Sequence, residues 1–318
     1  METTSLGRTG LQVGVAGLGA GGHSRLGLGT GGSETAAVAL IHAALDLGVN
    51  LIDTASAYGT EAVVGKALAG RRQGVVLATK ASVMQAGEPL SAAAVRDSLE
   101  ASLRLLGVDC IDLFQLHAVP PRQYETIRDR LVPVLLKARA QGKIRFLGIT
   151  ETAPNDHEHA MLARAVPEGI WDSAMVAFHM MCQNARAQVF PLTRRQGVGT
   201  LLMFAVRGIF ARPAQLAATL RDLAAAGQVP ADLAASEDPL GFLVHPDGAS
   251  SLTDAAYRYA RHEAGVDVVL FGTGDVGHLR SNVASLLKPP LPAADRARLA
   301  ALFGHLRGVG LDVPGRGR

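Results

Sequence analysis

The 318-residue sequence predicts an α/β fold, a (β/α)8 (TIM) barrel entered through an N-terminal β-hairpin and followed by an extra C-terminal helix. Three observations lead there. Short apolar runs, each bounded by glycine, charge or proline, alternate with helix-period stretches, which is how buried parallel strands and their crossover helices read. Eight such runs occur, the number that closes a barrel. Three of them end on Asp53, Lys80 and His117, and Tyr58 lies on the loop after the first. The carboxyl ends of barrel strands converge on one opening, so residues far apart in sequence become neighbours there.

In chain order, residues 6–18 hold two strand-like runs around Arg8-Thr9-Gly10, a hairpin leading into the first barrel strand. Ser33 caps a helix running to about Leu47, Glu34 sits in its first turn where negative charge is favourable, and Gly48 stops it. Val49-Asn50-Leu51-Ile52 then runs into Asp53. Helices are expected over 61–68, 92–106, 124–141, 156–165 and 185–196. Between and after them come strands over 75–79, 111–116, 144–149, 174–177, 200–203 and 268–271. Residues 211–250 carry Pro213, Pro230, Pro239 and Pro246 and are expected to form an irregular loop region inside one domain spanning 1–318, because long loops more often shape a site than form a domain.

With 48% hydrophobic and 19% charged residues, the chain can bury a large core. The longest apolar stretch, 200–206, falls far below the roughly 20 residues that span a bilayer, so no membrane segment is expected. The first eight residues lack the apolar core of an export signal, and the expected location is the cytoplasm. A net charge of only +3, with arginines scattered along helices, gives no support to nucleic-acid binding. Cys110 and Cys182 are too few and too far apart for a disulfide framework and read as core fillers, as does Trp171. His157, His159, His179 and His262 have no ligand spacing, so no metal site is expected. Nothing in the sequence fixes the oligomeric state.

Asp53, Tyr58, Lys80 and His117 together can run a carbonyl reduction. A phenol with its ordinary pKa of about 10 is too weak an acid to protonate an alkoxide efficiently near neutrality. A neighbouring ammonium strengthens it. Lys80 supplies that charge, Asp53 pairs with Lys80 and holds it, and His117 can hydrogen-bond the substrate carbonyl from the other side. Singly, each residue has a structural reading: loop cap, rim packing, solvated strand end, satisfied core histidine. Jointly, at one end of adjacent strands, they point to catalysis. Gly17-Leu18-Gly19-Ala20-Gly21-Gly22 satisfies the G-x-G-x-x-G pattern, but no helix opens at Gly22 and no strand-ending acid follows at the usual distance.

Asn50-Leu51-Ile52-Asp53-Thr54-Ala55-Ser56-Ala57-Tyr58-Gly59-Thr60-Glu61, continued by Val64-Gly65, resembles the signature of the aldo-keto reductase superfamily. Leu77-Ala78-Thr79-Lys80 and Asp112-Leu113-Phe114-Gln115-Leu116-His117 resemble its lysine and histidine motifs in the expected order, and the likeness runs from Leu6-Gly7-Arg8-Thr9-Gly10-Leu11 to the closing helix near Asn282. The resemblance implies a nicotinamide cofactor bound extended across the barrel mouth. It also implies an NAD(P)(H)-dependent reduction of a small aldehyde or ketone, with Tyr58 as proton donor. The same chemistry run backward is that of an aldose or alcohol dehydrogenase, and some barrels resembling this family are cofactor-binding regulatory subunits.

Departures from the family pattern fall at the cofactor. Thr150-Glu151 stands where many members place Ser-Asn to hold the carboxamide, Met175 replaces a glutamine on the sixth strand, and Met203 replaces a stacking aromatic ahead of Phe204 and Arg207. A thioether can still lie against a π face. Phe271-Gly272-Thr273-Gly274 and His278-Leu279-Arg280-Ser281-Asn282 resemble the motif that holds the adenosine phosphate and adenine, with Gly272 and His278 replacing a lysine and an arginine and Asn282 retained. Cofactor contacts are therefore expected at Thr150, Glu151, Met175, Met203, Phe204, Arg207, Gly272, Thr273, Gly274, His278 and Asn282. NADP(H) is expected to be slightly favoured, with NAD(H) accepted. His23 and Arg25, just past the first strand, are expected to orient a polar substrate.

Overall fold

In the computed structural model, which describes residues 1–311, the chain opens with an antiparallel pair, β1 (Thr3–Ser5) and β2 (Gln12–Gly14). Next come β3 (Ala16–Gly19), β4 (Leu51–Asp53), β5 (Val76–Ser82), the small hairpin β6 (Met84–Gln85) and β7 (Glu88–Pro89), β8 (Ile111–Val119), β9 (Ile144–Glu151), β10 (Ser173–Ala177), β11 (Gly199–Met203) and β12 (Val268–Phe271). Eight of these, β3, β4, β5, β8, β9, β10, β11 and β12, pair in parallel in that order, and β12 closes back on β3. Around them run α1 (Glu34–Asp46), α2 (Glu61–Leu68), α3 (Ala92–Leu106), α4 (Tyr124–Ala140), α5 (Ala160–Ala165), α6 (Ala185–Gln188) and α7 (Phe190–Gln196). They are followed by α8 (Gly208–Ala211), α9 (Pro213–Ala225), α10 (Ala231–Ala235), α11 (Leu252–Arg261), α12 (Val276–Leu286) and the extra helix α13 (Ala293–Phe303).

Local chemistry sets these boundaries. Ser33, Ser91 and Ser251 accept the backbone N–H of Ala36, Ala94 and Asp254, satisfying orphan donors at the starts of α1, α3 and α11. At the amino ends of the strands, a polar side chain repeatedly accepts the N–H of the neighbouring strand. Asp112 takes that of Leu77 at 2.9 Å, Asp172 that of Leu147 at 3.0 Å and Asp267 that of Thr200 at 2.9 Å. Leu6, Leu11 and Val13 from the entry hairpin pack against Leu51, Val76, Leu113, Leu201 and Val268 inside the barrel. The hairpin thus plugs one end with apolar side chains, and the polar side chains gather at the carboxyl ends of the strands, the end where barrels carry their chemistry.

The period of two along each strand then sorts the interior by height. Val76, Ala78 and Lys80 on β5, and Leu113, Gln115 and His117 on β8, run from the apolar plug to the polar mouth. Both strands continue three residues past the expected ends at 79 and 116, to Ser82 and Val119, so Lys80 and His117 are held within strands.

Residues 211–250 are irregular only in part: α9 fills 13 residues, with Leu216, Leu220 and Leu223 buried on one face, and α10 follows, while 236–250, with Pro239 and Pro246, form turns and one 3-10 turn, Gly241–Leu243. Pro213 and Pro230 stand at helix starts, where proline is tolerated. Other boundaries shift similarly. The helix expected over 185–196 divides at Val189, just before Pro191. The one expected from 156 begins at Ala160, because Asp156 accepts the N–H groups of Ala160 and Met161 as its cap. Trp171 and Cys182 are buried and Cys110 is half-buried, both thiols free. Among the described residues, no helix is long and apolar enough to cross a membrane.

Candidate active site

The loop after β4 is stitched to β5 along its length. Thr54 N donates to Ala78 O at 2.9 Å, and Ser56 Oγ donates to Lys80 O at 3.1 Å. Thr79 Oγ1 donates to Glu61 Oε1 at 2.6 Å, and the hydroxyls of Thr54 and Thr60 lie 2.9 Å apart. Between these anchors the chain makes a short 3-10 turn, Ser56–Tyr58, and reverses at Gly59, whose φ of 71° favours glycine. Tyr58 is therefore presented at the mouth by a fixed loop.

Beneath it lies the ion pair. Lys80 Nζ, fully buried, donates to Asp53 Oδ2 at 2.6 Å and to Thr54 O at 2.8 Å, and stands 4.9 Å from the centroid of the Tyr58 ring. Burial opposes the ammonium, but the Asp53 carboxylate, followed by Tyr58, more than offsets it and holds the Lys80 pKa above its ordinary value. Asp53 Oδ1 accepts Gln115 Nε2 at 3.1 Å, so both carboxylate oxygens are engaged. His117 Nε2 lies 3.4 Å from Tyr58 OH, with the rings edge to face. Burial, then the nearby Lys80 charge, pushes the His117 pKa down to about 3, so its imidazole is neutral over the physiological range. One phenol and one neutral imidazole thus converge on a single point of the rim, with a positive charge behind them. An oxygen placed there can accept two hydrogen bonds and receive a proton.

Two residues complete this arrangement that the sequence reading did not single out. A Cβ on Gly21 would lie 2.5–2.7 Å from three atoms of the Tyr58 ring, so the ring rests directly on backbone. Gln115 is fully buried beside Asp53. The period of two, which points Gln115 inward with His117, is the signal that could have found it; nothing in the glycine run around Gly21 marks that one glycine.

The expected cofactor residues divide. Thr150 Oγ1 accepts Ala118 N at 2.7 Å, pinning a bulge at which Ala118 takes a φ of 54°. Its hydroxyl proton remains free to donate. Thr152 Oγ1, just past β9, is buried without a partner. Glu151 does not fit the expectation that it holds a carboxamide: Oε1 accepts Ala177 N and Oε2 meets His159 Nδ1, both at 2.7 Å, with both side chains fully buried. Nor does Met175, which packs into the apolar interior beside Leu113 and Leu201.

Met203, at the end of β11, is only partly buried and borders both that interior and the group formed by Ala153, Ala177, Cys182 and Leu311. The Arg207 guanidinium lies 4.2 Å from the Phe204 ring centroid and donates from Nε to Gly310 O at 3.0 Å, bringing the C-terminal segment to this side of the mouth.

At the far rim, Asp275 caps α12 by accepting His278 N at 2.7 Å, Thr273 Oγ1 accepts Asp275 N at 3.0 Å, Asn282 is buried and His278 is exposed. Gly272 is open. Gly274 abuts Gly27, leaving no room for a Cβ, so the loop carrying the exposed His23 and Arg25 docks there. An unpartnered hydroxyl, a partly buried thioether and two glycine-lined loops along one rim are a fit for a flat amide-bearing ring with an extended tail.

A profile of the Aldo/keto reductase family matches residues 13–303. An aldo-keto reductase from Bacillus halodurans, in its holo form, has the same fold with a TM-score of 0.72 over 95% of this chain and 96% of its own, at 25% identity. An aldo/keto reductase from Klebsiella pneumoniae, solved in complex with NADP and acetate, shares the fold with a TM-score of 0.67 over 95% of this chain and 96% of its own, at 24% identity. L-galactose dehydrogenase of Arabidopsis thaliana is 34% identical over 209 residues, 63% of this chain; the match spans 64% of that relative's length. Since the family match takes in every barrel strand together with Asp53, Tyr58, Lys80 and His117, the chain belongs to the aldo/keto reductase family, oxidoreductases that use nicotinamide cofactors.

Proposed function

We propose that the protein interconverts a small aldehyde or ketone and its alcohol, with Tyr58 as the proton donor in the reducing direction. The observation that carries this reading is the meeting of Tyr58 OH and His117 Nε2 over the buried Lys80–Asp53 pair. The substrate oxygen accepts hydrogen bonds from the phenol and from the neutral imidazole. A reduced nicotinamide, when bound, supplies the hydride for the carbonyl carbon. As negative charge develops on the substrate oxygen, Tyr58 gives up its proton, and the ammonium of Lys80 stabilises the phenolate that remains. Asp53 keeps Lys80 in place, and His117, neutral because it is buried, orients the oxygen without competing as an acid.

Met203 is the residue we assign to one face of the nicotinamide, with the hydroxyls of Thr150 and Thr152 for its carboxamide, Phe204 and Arg207 flanking it, and Gly272, Thr273, Gly274 and Asn282 along the adenosine end. NADP(H) is slightly favoured over NAD(H) in this reading: His278 and Arg280 offer donors to a phosphate, while Gly272 offers none and the Asp275 carboxylate stands at the start of α12. His23 and Arg25 are assigned to the substrate side. The relation to an L-galactose dehydrogenase supports the oxidative direction as a second reading, with a sugar as the alcohol.

The test is absorbance of the reduced cofactor: NADPH or NADH with a panel of small aldehydes and ketones, and the oxidised cofactors with small alcohols and L-galactose. Turnover in either direction supports the assignment. Tight cofactor binding with no turnover of any substrate would make the protein a cofactor-binding module instead.

A further inference from the structure

Gln115 is a fully buried amide in the barrel interior, level with Lys80 across the β5–β8 pairing and two residues before His117. Its Nε2 donates to Asp53 Oδ1 at 3.1 Å while Asp53 Oδ2 takes Lys80 Nζ at 2.6 Å. The carboxylate is thus held from two sides, by an ammonium and by a neutral donor. The other end of the amide, Oε1, is buried with no partner. An unsatisfied buried acceptor is costly, and an apolar residue of the same size would avoid that cost. Its register partner on the adjacent strand leaves room for it, since a Cβ on Gly148 would come within 2.6 Å of both Gln115 Cγ and Ser173 Oγ.

We propose that Gln115 is a positioning residue of the reaction: its amide fixes the rotamer of Asp53 so that Oδ2 stays aimed at Lys80, and does so without adding charge beside the ion pair. The proposal rests on the reading of Tyr58 as the acid served by Lys80. The titratable groups facing Gln115 are Asp53 from β4, Lys80 from β5, Tyr58 from the loop after β4 and His117 on its own strand; Gly148 from β9 and Ser173 from β10 bring none. A glutamine is the side chain that can donate here at every pH. A glutamate can donate only while protonated, and once ionised it sets a second negative charge against Asp53.

The experiment measures kcat and its pH profile for the full-length enzyme and for Gln115→Met, Gln115→Glu and Tyr58→Phe, with cofactor dissociation constants beside them. Gln115→Met should lower kcat at least about tenfold, as for one lost hydrogen bond to a charged group, and leave cofactor affinity within twofold. Gln115→Glu should approach the parent rate at acid pH and lose it as pH rises, through one ionisation the parent lacks. In Gln115→Glu a packing defect would lower the rate by the same factor at every pH, and that result, or a Gln115→Met enzyme with parent kcat and profile, overturns the proposal. If Gln115→Met does not fold, the Gln115→Glu profile decides alone. Should Tyr58→Phe stay active, the reading of the site fails; should it be inactive while both Gln115 variants behave as the parent, only this inference fails.

Discussion

Gly21→Ala tests the placement of Tyr58 without touching its chemistry. The added Cβ would lie 2.5, 2.6 and 2.7 Å from three ring atoms, whereas ordinary contact begins near 3.4 Å, so the ring must retreat by about 0.9 Å. Tyr58 is partly exposed and sits on a loop, so the ring rather than the barrel gives way and the fold tolerates the change. The hydroxyl then moves off the point it shares with His117, and a displacement of about 1 Å in a reacting group costs on the order of 100-fold in rate. Steady-state kcat on an aldehyde at saturating cofactor measures that loss, and a fluorescence titration checks that cofactor affinity is kept. In a Tyr58→Phe background the same substitution should add no more than about threefold, because both act on one group. A Gly21→Ala enzyme with kcat within twofold of the parent would refute the argument that backbone contact aims the phenol.

Lys80→Met leaves the buried Asp53 carboxylate without its ammonium, a loss of about 3–5 kcal/mol in urea unfolding, and adding Asp53→Asn should recover most of it; a single variant as stable as the parent would contradict the buried pair. Burial, reinforced by Lys80 and Arg207 respectively, holds His117 and His179 down to about 3. An unfolded chain with imidazoles near 6.5 therefore takes up protons that the folded chain refuses. Their stabilisation is full above about pH 6.5 and is lost as pH falls toward 3. His117→Asn should reduce that uptake by close to one proton in the slope of unfolding free energy against pH, and an unchanged slope would refute the assignment. Asp275→Asn removes negative charge from the start of α12 and should raise NADPH affinity relative to NADH by about two- to fivefold at low ionic strength, the worth of a charge at a helix end; an unchanged ratio of dissociation constants would show that the phosphate lies elsewhere.

What the sequence made legible is what apolar runs and their interruptions carry. Asp53, Lys80 and His117 stand out because each closes a short, largely apolar run, and the barrel follows from the count of such runs. The helices of 211–250 were obscured by their prolines, although Leu216, Leu220 and Leu223 already had helical spacing. Glu151 stands at the strand end the sequence predicts, but its carboxylate is taken up by Ala177 N and by His159, which lies eight residues later with a φ of 53°, and neither contact has a local sequence signature. Met175 belongs to the strand interior by the same period of two that placed Lys80, so depth within the barrel, not strand identity, separates it from Met203. The contact between Gly21 and Tyr58 joins loops from two strands and has no local signature.

The most direct test of the whole account is a single-turnover measurement of reduced-nicotinamide consumption with an aldehyde substrate, comparing the parent enzyme with Tyr58→Phe at matched cofactor saturation. Loss of the proton donor should lower the rate by about 10²- to 10⁴-fold while the cofactor dissociation constant stays within a few-fold. A Tyr58→Phe enzyme that consumes the cofactor at a rate comparable to the parent would contradict the assignment of the acid and, with it, the role given to Lys80, Asp53 and Gln115.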